Sequence, residues 1–566
     1  MKRFIKNIIM VIMIILFGLL TYFTMNYAKD NLSVSNNLES SMNNNTNTPP
    51  EKPNDNDSNN GNSNNDSIPS MPNDGNMRSI NNNTVSLTCV YYVLFGVYSL
   101  VIALLLVYLI MSGFNKKSFK ETFNNKDKVI IYILSLIIFT TGFIYIDKVI
   151  TYNCFLNNSS NGNMNNQGSS VTYSASKEIT SDEEITDGEY SSDQENQNAI
   201  LVSGDITAKL SNITVSKTGD SDGGDATSFY GNNSAILAKD KANLTLSNIT
   251  VETNATGANG VFSYGGSATT NNSSSDGTVI NISDSKITTK KDNSGGIMTT
   301  GGGIMNATNL IINTAGVSSA AIRTDRGGGE VTVNKGTYTT TGAGSPTIYS
   351  TANVKVSNAK LVSKASEGIV IEGKNSVTID NCNLTDTNNK LNGQSTTYKN
   401  IFLYQSMSGD ASSGSATFTA LNSTIKTNKG DTLYVTNTEA VINLTNNKIT
   451  NKDSSGNFLR IQKDSWGNEG SNGGVVTLNM SNQEAIGNIV VDEISTLDIN
   501  MKKASYYEGS INSSNAAKSI KLVLDKKSKI KLTGDSYISS LEDDDSSYSN
   551  IDFNGYKFYV NGTSIN

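Results

Sequence analysis

The 566-residue chain has no histidine at all. That absence excludes a Ser-His-Asp triad, a Cys-His dyad, His-ligated zinc and any imidazole general base, so catalysis would have to rest on carboxylates, Lys, Tyr or Arg. Cysteine is nearly absent too: Cys89, Cys154 and Cys382 leave room for one bridge and no disulfide framework. Proline is scarce, with 6 residues, and only 17% of the chain is charged. The net charge of −7 gives no electrostatic footprint for nucleic acid. The polar mass is Asn, Ser and Thr, with 47 Gly among them. Such a profile suits an exposed β architecture with many turns.

Long apolar runs are confined to the first 150 residues. Residues 1–28 combine the basic head Met1-Lys-Arg-Phe-Ile-Lys-Asn7 with an apolar run, and read as a signal anchor or a signal peptide. Residues 86–150 hold two further runs, about Leu87–Met111 and Val129–Ile146. They flank the loop 115–128, whose lysines are Lys116, Lys117, Lys120, Lys126 and Lys128. Positive residues favour the cytoplasmic side, so head and loop are placed inside and everything after about residue 150 outside. The expected topology has three helical spans, a multi-pass membrane anchor and an extracellular C-terminal domain. It puts Cys89 and Cys154 at the outer ends of the second and third spans, where they either pair or remain free thiols. Residues 29–85 and 151–170, rich in Asn, Ser and Asp or Gly, are expected to be a disordered linker and a tether.

From about residue 200 an octet recurs: apolar, any, apolar, any, usually Asn or Asp, two of any kind, apolar. Leu244-Thr-Leu-Ser-Asn248-Ile-Thr-Val251, Ile280-Asn-Ile-Ser-Asp284-Ser-Lys-Ile287 and Val377-Thr-Ile-Asp-Asn381-Cys-Asn-Leu384 are clear copies. Counting the fifth position as an anchor, copies fall at Asn212, Asn248, Asp284, Asn309, Lys335, Asn358, Asn381, Asn422, Asn446, Asn482, Lys503 and Lys526. The steps between them are 36, 36, 25, 26, 23, 23, 41, 24, 36, 21 and 23 residues. A base period with a few long steps is the mark of a solenoid carrying inserted loops. Alternation of two with β-branched residues says strand. The predicted fold is an all-β right-handed parallel β-helix over 171–566, preceded by the α-helical membrane region. About 12 coils at roughly 4.8 Å each would make a rod of about 58 Å. The anchor is expected to turn inward at a corner and stack on its neighbours. The alternative is a turn residue that tolerates a left-handed conformation.

Gly260-Val-Phe-Ser-Tyr-Gly-Gly266, Gly295-Gly-Ile-Met-Thr-Thr-Gly-Gly-Gly303 and Ala321-Ile-Arg-Thr-Asp-Arg-Gly-Gly-Gly329 carry a resemblance. Over roughly residues 170–540 the chain resembles the adhesin-like right-handed parallel β-helix surface proteins of bacteria. The resemblance implies the fold and a surface setting, and no defined reaction.

A second strand precedes each anchor strand. If these strands stack, Arg323, Asp325, Arg326, Tyr349, Glu372, Lys374, Tyr404, Gln405, Tyr434 and Arg460 form one polar and aromatic stripe. Aromatic faces beside hydrogen-bonding groups suit sugars, so the leading expectation is adhesion to an extracellular glycan or protein ligand. Ordinary solvated surface is the alternative. A membrane-tethered polysaccharide lyase or hydrolase would draw on Arg323, Asp325, Glu372 and Arg460, with Asp325 and Glu372 two coils apart. A passive spacer would use none of them. Calcium is the one cofactor left open, at Asp220, Asp222 and Asp225, whose spacing lacks the full loop pattern of a calcium hand.

Overall fold

A computed structural model describes residues 171–566 except 222–223, 269–273, 392–394 and 407. The chain divides into two compact units, Met1–Gln167 and Gly168–Asn566. The three expected spans, the loop 115–128, Cys89 and Cys154 therefore lie outside the described residues. Among the described residues no helix is long and apolar enough to cross a membrane.

The second unit is built of parallel strands. One sheet has 12 strands and runs in strict sequence order from Ala175–Ile179 to Ile489–Val491. A second has 20 strands, and short sheets of 4 and 3 strands close the C-terminal end. In each coil a short strand of the first sheet leads into a strand or strand pair of the second. In one coil these are Ile348–Ser350, then Asn353–Ser357 and Lys360–Ser363. Each strand pairs with its counterpart one coil on, with Ile322 opposite Ile348, Ile348 opposite Ile369 and Ile369 opposite Ile401. The same column passes through Ile200 and runs on to Ile489. All of this is consistent with a parallel β-helix. The only antiparallel pairing among the described residues is the terminal hairpin of Phe558–Val560 and Thr563–Ser564, which packs buried Phe558 over the last coil.

Alternation explains the burial. Val354, Val356, Val377 and Ile379 face the core while Lys355 and Thr378 face out. Full burial of each such side chain contributes about 1.5–3 kcal/mol, and stacking makes the core continuous from coil to coil. Buried Cys382 sits in that core as a free thiol.

The anchors do not turn inward. They are exposed, and eleven of the twelve have a left-handed backbone, from Asn482 at φ 48° to Lys335 at φ 65°. Lys526 is the exception. Asn is the side chain that best tolerates this conformation, which explains its recurrence. The anchors do stack, on the outside: Asn248 Nδ2 donates to Asn212 Oδ1 at 2.7 Å, Asn381 to Asn358 at 2.8 Å and Asn446 to Asn422 at 2.9 Å.

The next residue is the one that faces inward. At Ile249, and again from Cys382 onward, its N–H donates to a buried side chain of the following coil. Cys382 N–H donates to Ser423 Oγ at 3.0 Å, Ser423 N–H to Asn447 Oδ1 at 2.9 Å and Asn447 N–H to Gln483 Oε1 at 2.9 Å. Gln483 and Ser505 continue the series to Ser528.

Two substitutions separate these roles. Ser423→Ala leaves a buried N–H without an acceptor and is expected to cost about 1–3 kcal/mol. Asn381→Gly keeps the left-handed corner and loses only an exposed bond, so it is expected to cost less than Asn381→Ala, where strain adds about 1–2 kcal/mol. Chemical denaturation of the three variants gives the order.

Candidate functional site

On the outer face of the 12-stranded sheet one register column reads Arg323, Tyr349, Val370, Phe402, Tyr434, Arg460. The residues beside it, Ile322 to Leu459, point into the main core, so alternation sends this column the other way. Two positions along, Glu372 stands beside Tyr404. Of the stripe read from the sequence, Arg323, Tyr349, Tyr434 and Arg460 share this column and Glu372 and Tyr404 a second one, and loops from the long steps cover much of both.

At one end lies an acid–arginine cluster. Arg323 donates to Asp325 Oδ2 at 2.8 Å and to the Ser318 carbonyl at 3.3 Å. Arg326 joins three segments distant in sequence. Its Nη2 donates to Asp410 at 2.8 Å, its Nη1 to Asp225 at 3.0 Å, and its guanidinium lies 3.8 Å from the centre of the Phe229 ring. Arg326 thus pins the helical turn Asp225–Ser228 and the loop bearing Asp410 on either side of the sheet strand. Between them opens a cavity of about 270 Å³, lined by Phe229, Arg323, Asp325, Tyr349, Tyr404 and Asp410 among others. A second cavity, of about 190 Å³, lies across the Asp410 loop and is lined by Gly327, Gly328, Gly329, Lys374 and Asp410. Lys374 is exposed there, and Gln405 braces the loop by donating to the carbonyls of Ser406 and Ala411 at 3.2 Å.

Asp325 and Glu372 stand two coils apart with Tyr349 in the coil between. Glu372 is almost completely buried, at 1% exposure, and accepts from three hydroxyls: Tyr404 at 3.0 Å, Tyr349 and Ser406. Burial pushes its carboxyl above the usual range, and the bonds from Ser406 and Tyr349 only partly offset this. Burial likewise raises Asp325, against the opposing pull of Arg323. The Tyr349 hydroxyl is held well above its ordinary value by burial and by the Glu372 charge.

At the other end the rings pack on one another. Phe402 stacks on Tyr404 at 4.4 Å, and Trp466, the single tryptophan, packs on both at 5.2 and 5.3 Å. Tyr434 is wholly buried. Beneath them Lys399 lies 4.3 Å from the Phe402 centroid and 4.6 Å from Tyr434, an arrangement favourable to the cation. Arg460 pairs with buried Asp431 at 2.6 Å. Tyr434, Arg460 and Phe402 thus hold a small outer core beneath their loops.

The sequence reading did not single out Asp410, Phe229, Lys399 or Trp466. Asp410 and Lys399 lie in the 41-residue step, Trp466 and Phe229 in 36-residue steps, so step length was the available signal. Of the calcium candidates, Asp220 accepts the Thr256 N–H at 2.7 Å, Asp225 is bound to Arg326, and Asp222 lies outside the described residues. Among the described residues no three His, Cys, Asp or Glu side chains gather as metal ligands. No family model, no curated protein and no solved structure matches the chain.

Glu372 gives a pH test. Its folded pKa is raised, so its contribution to stability is present below the unfolded pKa and is lost as pH rises through the folded value. Glu372→Gln removes that dependence. Its melting temperature relative to the parent is expected to be more favourable at pH 8 than at pH 5; an equal difference at both would place no ionising group there.

Proposed function

We propose that the chain is a membrane-anchored, surface-displayed right-handed parallel β-helix that binds a saccharide on the outer face of its 12-stranded sheet, in the manner of adhesins. The observation that carries this reading is the cavity of about 270 Å³ with Arg323, Asp325, Tyr349, Tyr404 and Asp410 on its walls. Sugars are recognised by convergent donors and acceptors in a shallow cleft with a ring nearby. Among the described residues Arg323 uses two of its donors, and half-buried Tyr349 offers the ring. Asp410 also lines the neighbouring cavity, so two adjoining units of a chain-like glycan would share it. The membrane anchor, the extracellular setting and the likeness to adhesins come from the sequence. A glycan is preferred to a protein ligand because the cleft is small and polar.

A glycosidase or lyase is the second reading. It is favoured by one observation, the raised pKa of Asp325 in a cavity it shares with Asp410. Glycoside cleavage requires a pair of carboxylates. Here the partner of Asp325 is Asp410 rather than Glu372, whose oxygens are taken by hydroxyls.

Glycan-array screening of the purified protein tests both. Selective binding that falls at least tenfold in Arg323→Ala and Tyr349→Ala, with no release of oligosaccharide, is the expected result. New reducing or unsaturated ends that vanish in Asp325→Asn would establish the second reading. Binding untouched by any of these variants would exclude the cleft.

A further inference from the structure

At the corner where the 20-stranded sheet hands the chain back to the 12-stranded one, a hydroxyl bond recurs in three coils, though not at Thr253 or Thr340 of the same column. The Thr289 hydroxyl donates to the Ser294 carbonyl at 2.5 Å, Thr314 to Ser319 at 2.5 Å and Ser363 to Ser366 at 2.8 Å. In the next coil the column holds Asp386, in register with Ser363 on one side and Thr427 on the other. A carboxylate has no proton to give. Asp386 has no exposure, and among the described residues no side chain donates a hydrogen bond to either of its carboxyl oxygens. Burial holds its pKa well above the usual carboxylate value, against a smaller downward pull from the Asn388 N–H.

Two further oxygens at this corner lack partners: Asn388 Oδ1 and Asn400 Oδ1, both on side chains with no exposure. Their amide nitrogens are committed elsewhere. Asn388 Nδ2 donates to the Lys399 carbonyl at 2.9 Å, which fixes its oxygen on the opposite side, and Asn400 Nδ2 donates to Thr427 Oγ1 at 3.0 Å. Thr427 is the register partner of Asp386, Asn388 follows it by two residues, and Lys399 precedes Asn400. These links gather the three side chains at one corner of the stack. A Cβ added to Gly368 would stand 2.2 Å from Asn400 Oδ1, so the coil before has no side chain to fill the place.

Four buried acceptor oxygens at one corner without a full donor among the described residues are costly. A proton on Asp386 would serve one of them; a hard cation bound among them would serve several. The charged neighbour acting on Asp386 is another carboxylate, Glu367, which adds to the demand for positive charge. We propose that Asp386, Asn388 and Asn400 hold a buried calcium ion inside the coil. Carboxylate and amide oxygens are the donors calcium prefers, with water completing its shell of about six to eight oxygens. The ion would tie the turn that follows Asp386 to the stack, on the core side of the sheet. The inference is independent of the glycan reading, because the cleft lies on the outer face.

The test is metal analysis of the full chain in detergent, before and after chelation, with thermal unfolding of each sample. The expected result is about one calcium per chain, a melting temperature several degrees lower after chelation, and recovery with calcium but not magnesium. Asp386→Asn, which is nearly isosteric, should bind no calcium and lose the response to chelator. Asp386→Thr restores the hydroxyl of the column and should fold, equally without calcium. Absence of bound calcium from the parent at millimolar concentration, with Asp386→Asn at least as stable, would overturn the proposal in favour of a protonated carboxyl or trapped water. Calcium retained by Asp386→Asn would overturn it as well.

Discussion

Everything in the second unit depends on the hydrogen bonds that join one coil to the next. Within strands the main chain supplies both partners. At several of the left-handed corners the N–H that follows is met instead by a buried side chain of the neighbouring coil. Ser285 does this for Ile249, and Ser423, Asn447, Gln483, Ser505 and Ser528 fill the role in succession toward the C-terminal end. An orphaned buried N–H costs about 1–3 kcal/mol, a cost that these side chains avert at each of those corners. The polar residues inside this core are therefore part of the stacking itself.

The same regularity makes the outer face programmable. A coil of about 23 residues has no chain to spare, so the bare sheet is flat. Where a step lengthens, the added chain folds over that sheet. The insertion after Asn212 brings Phe229 and Asp225 to Arg326, the one after Asn381 brings Asp410, and the one after Asn446 brings Trp466. Three insertions separated by more than 200 residues meet over one part of one sheet, because stacking sets residues 323, 349, 370, 402 and 434 side by side. The acid–arginine cleft and the aromatic cluster are two ends of that covered region.

Coil count, anchor spacing and the outward column were legible in the sequence because each follows from a period. The octet Val377 to Leu384 states its alternation openly, and the placement of Arg323 beside Tyr349 needs only the register. What the pattern could not give was direction at the corner: Asn381 looked like an inward ladder, yet Cys382 behind it is the buried one. Nor could it show that Tyr434 and Phe402 would spend their faces on Lys399 and Trp466, since loop paths follow no period. Asp386 reads as an ordinary turn acid until its column neighbours Ser363 and Thr427 are seen beside it.

The stack makes one distance diagnostic. Asn248 and Asn446 are exposed anchors seven coils apart, counted through Asp284, Asn309, Lys335, Asn358, Asn381 and Asn422. Spin labels at these two positions, measured by pulsed electron resonance, should be separated by about 34 Å, seven rises of roughly 4.8 Å. A broad distribution, or a separation far from that value, would contradict the stacked coil and with it the shared outer face on which the cleft is built.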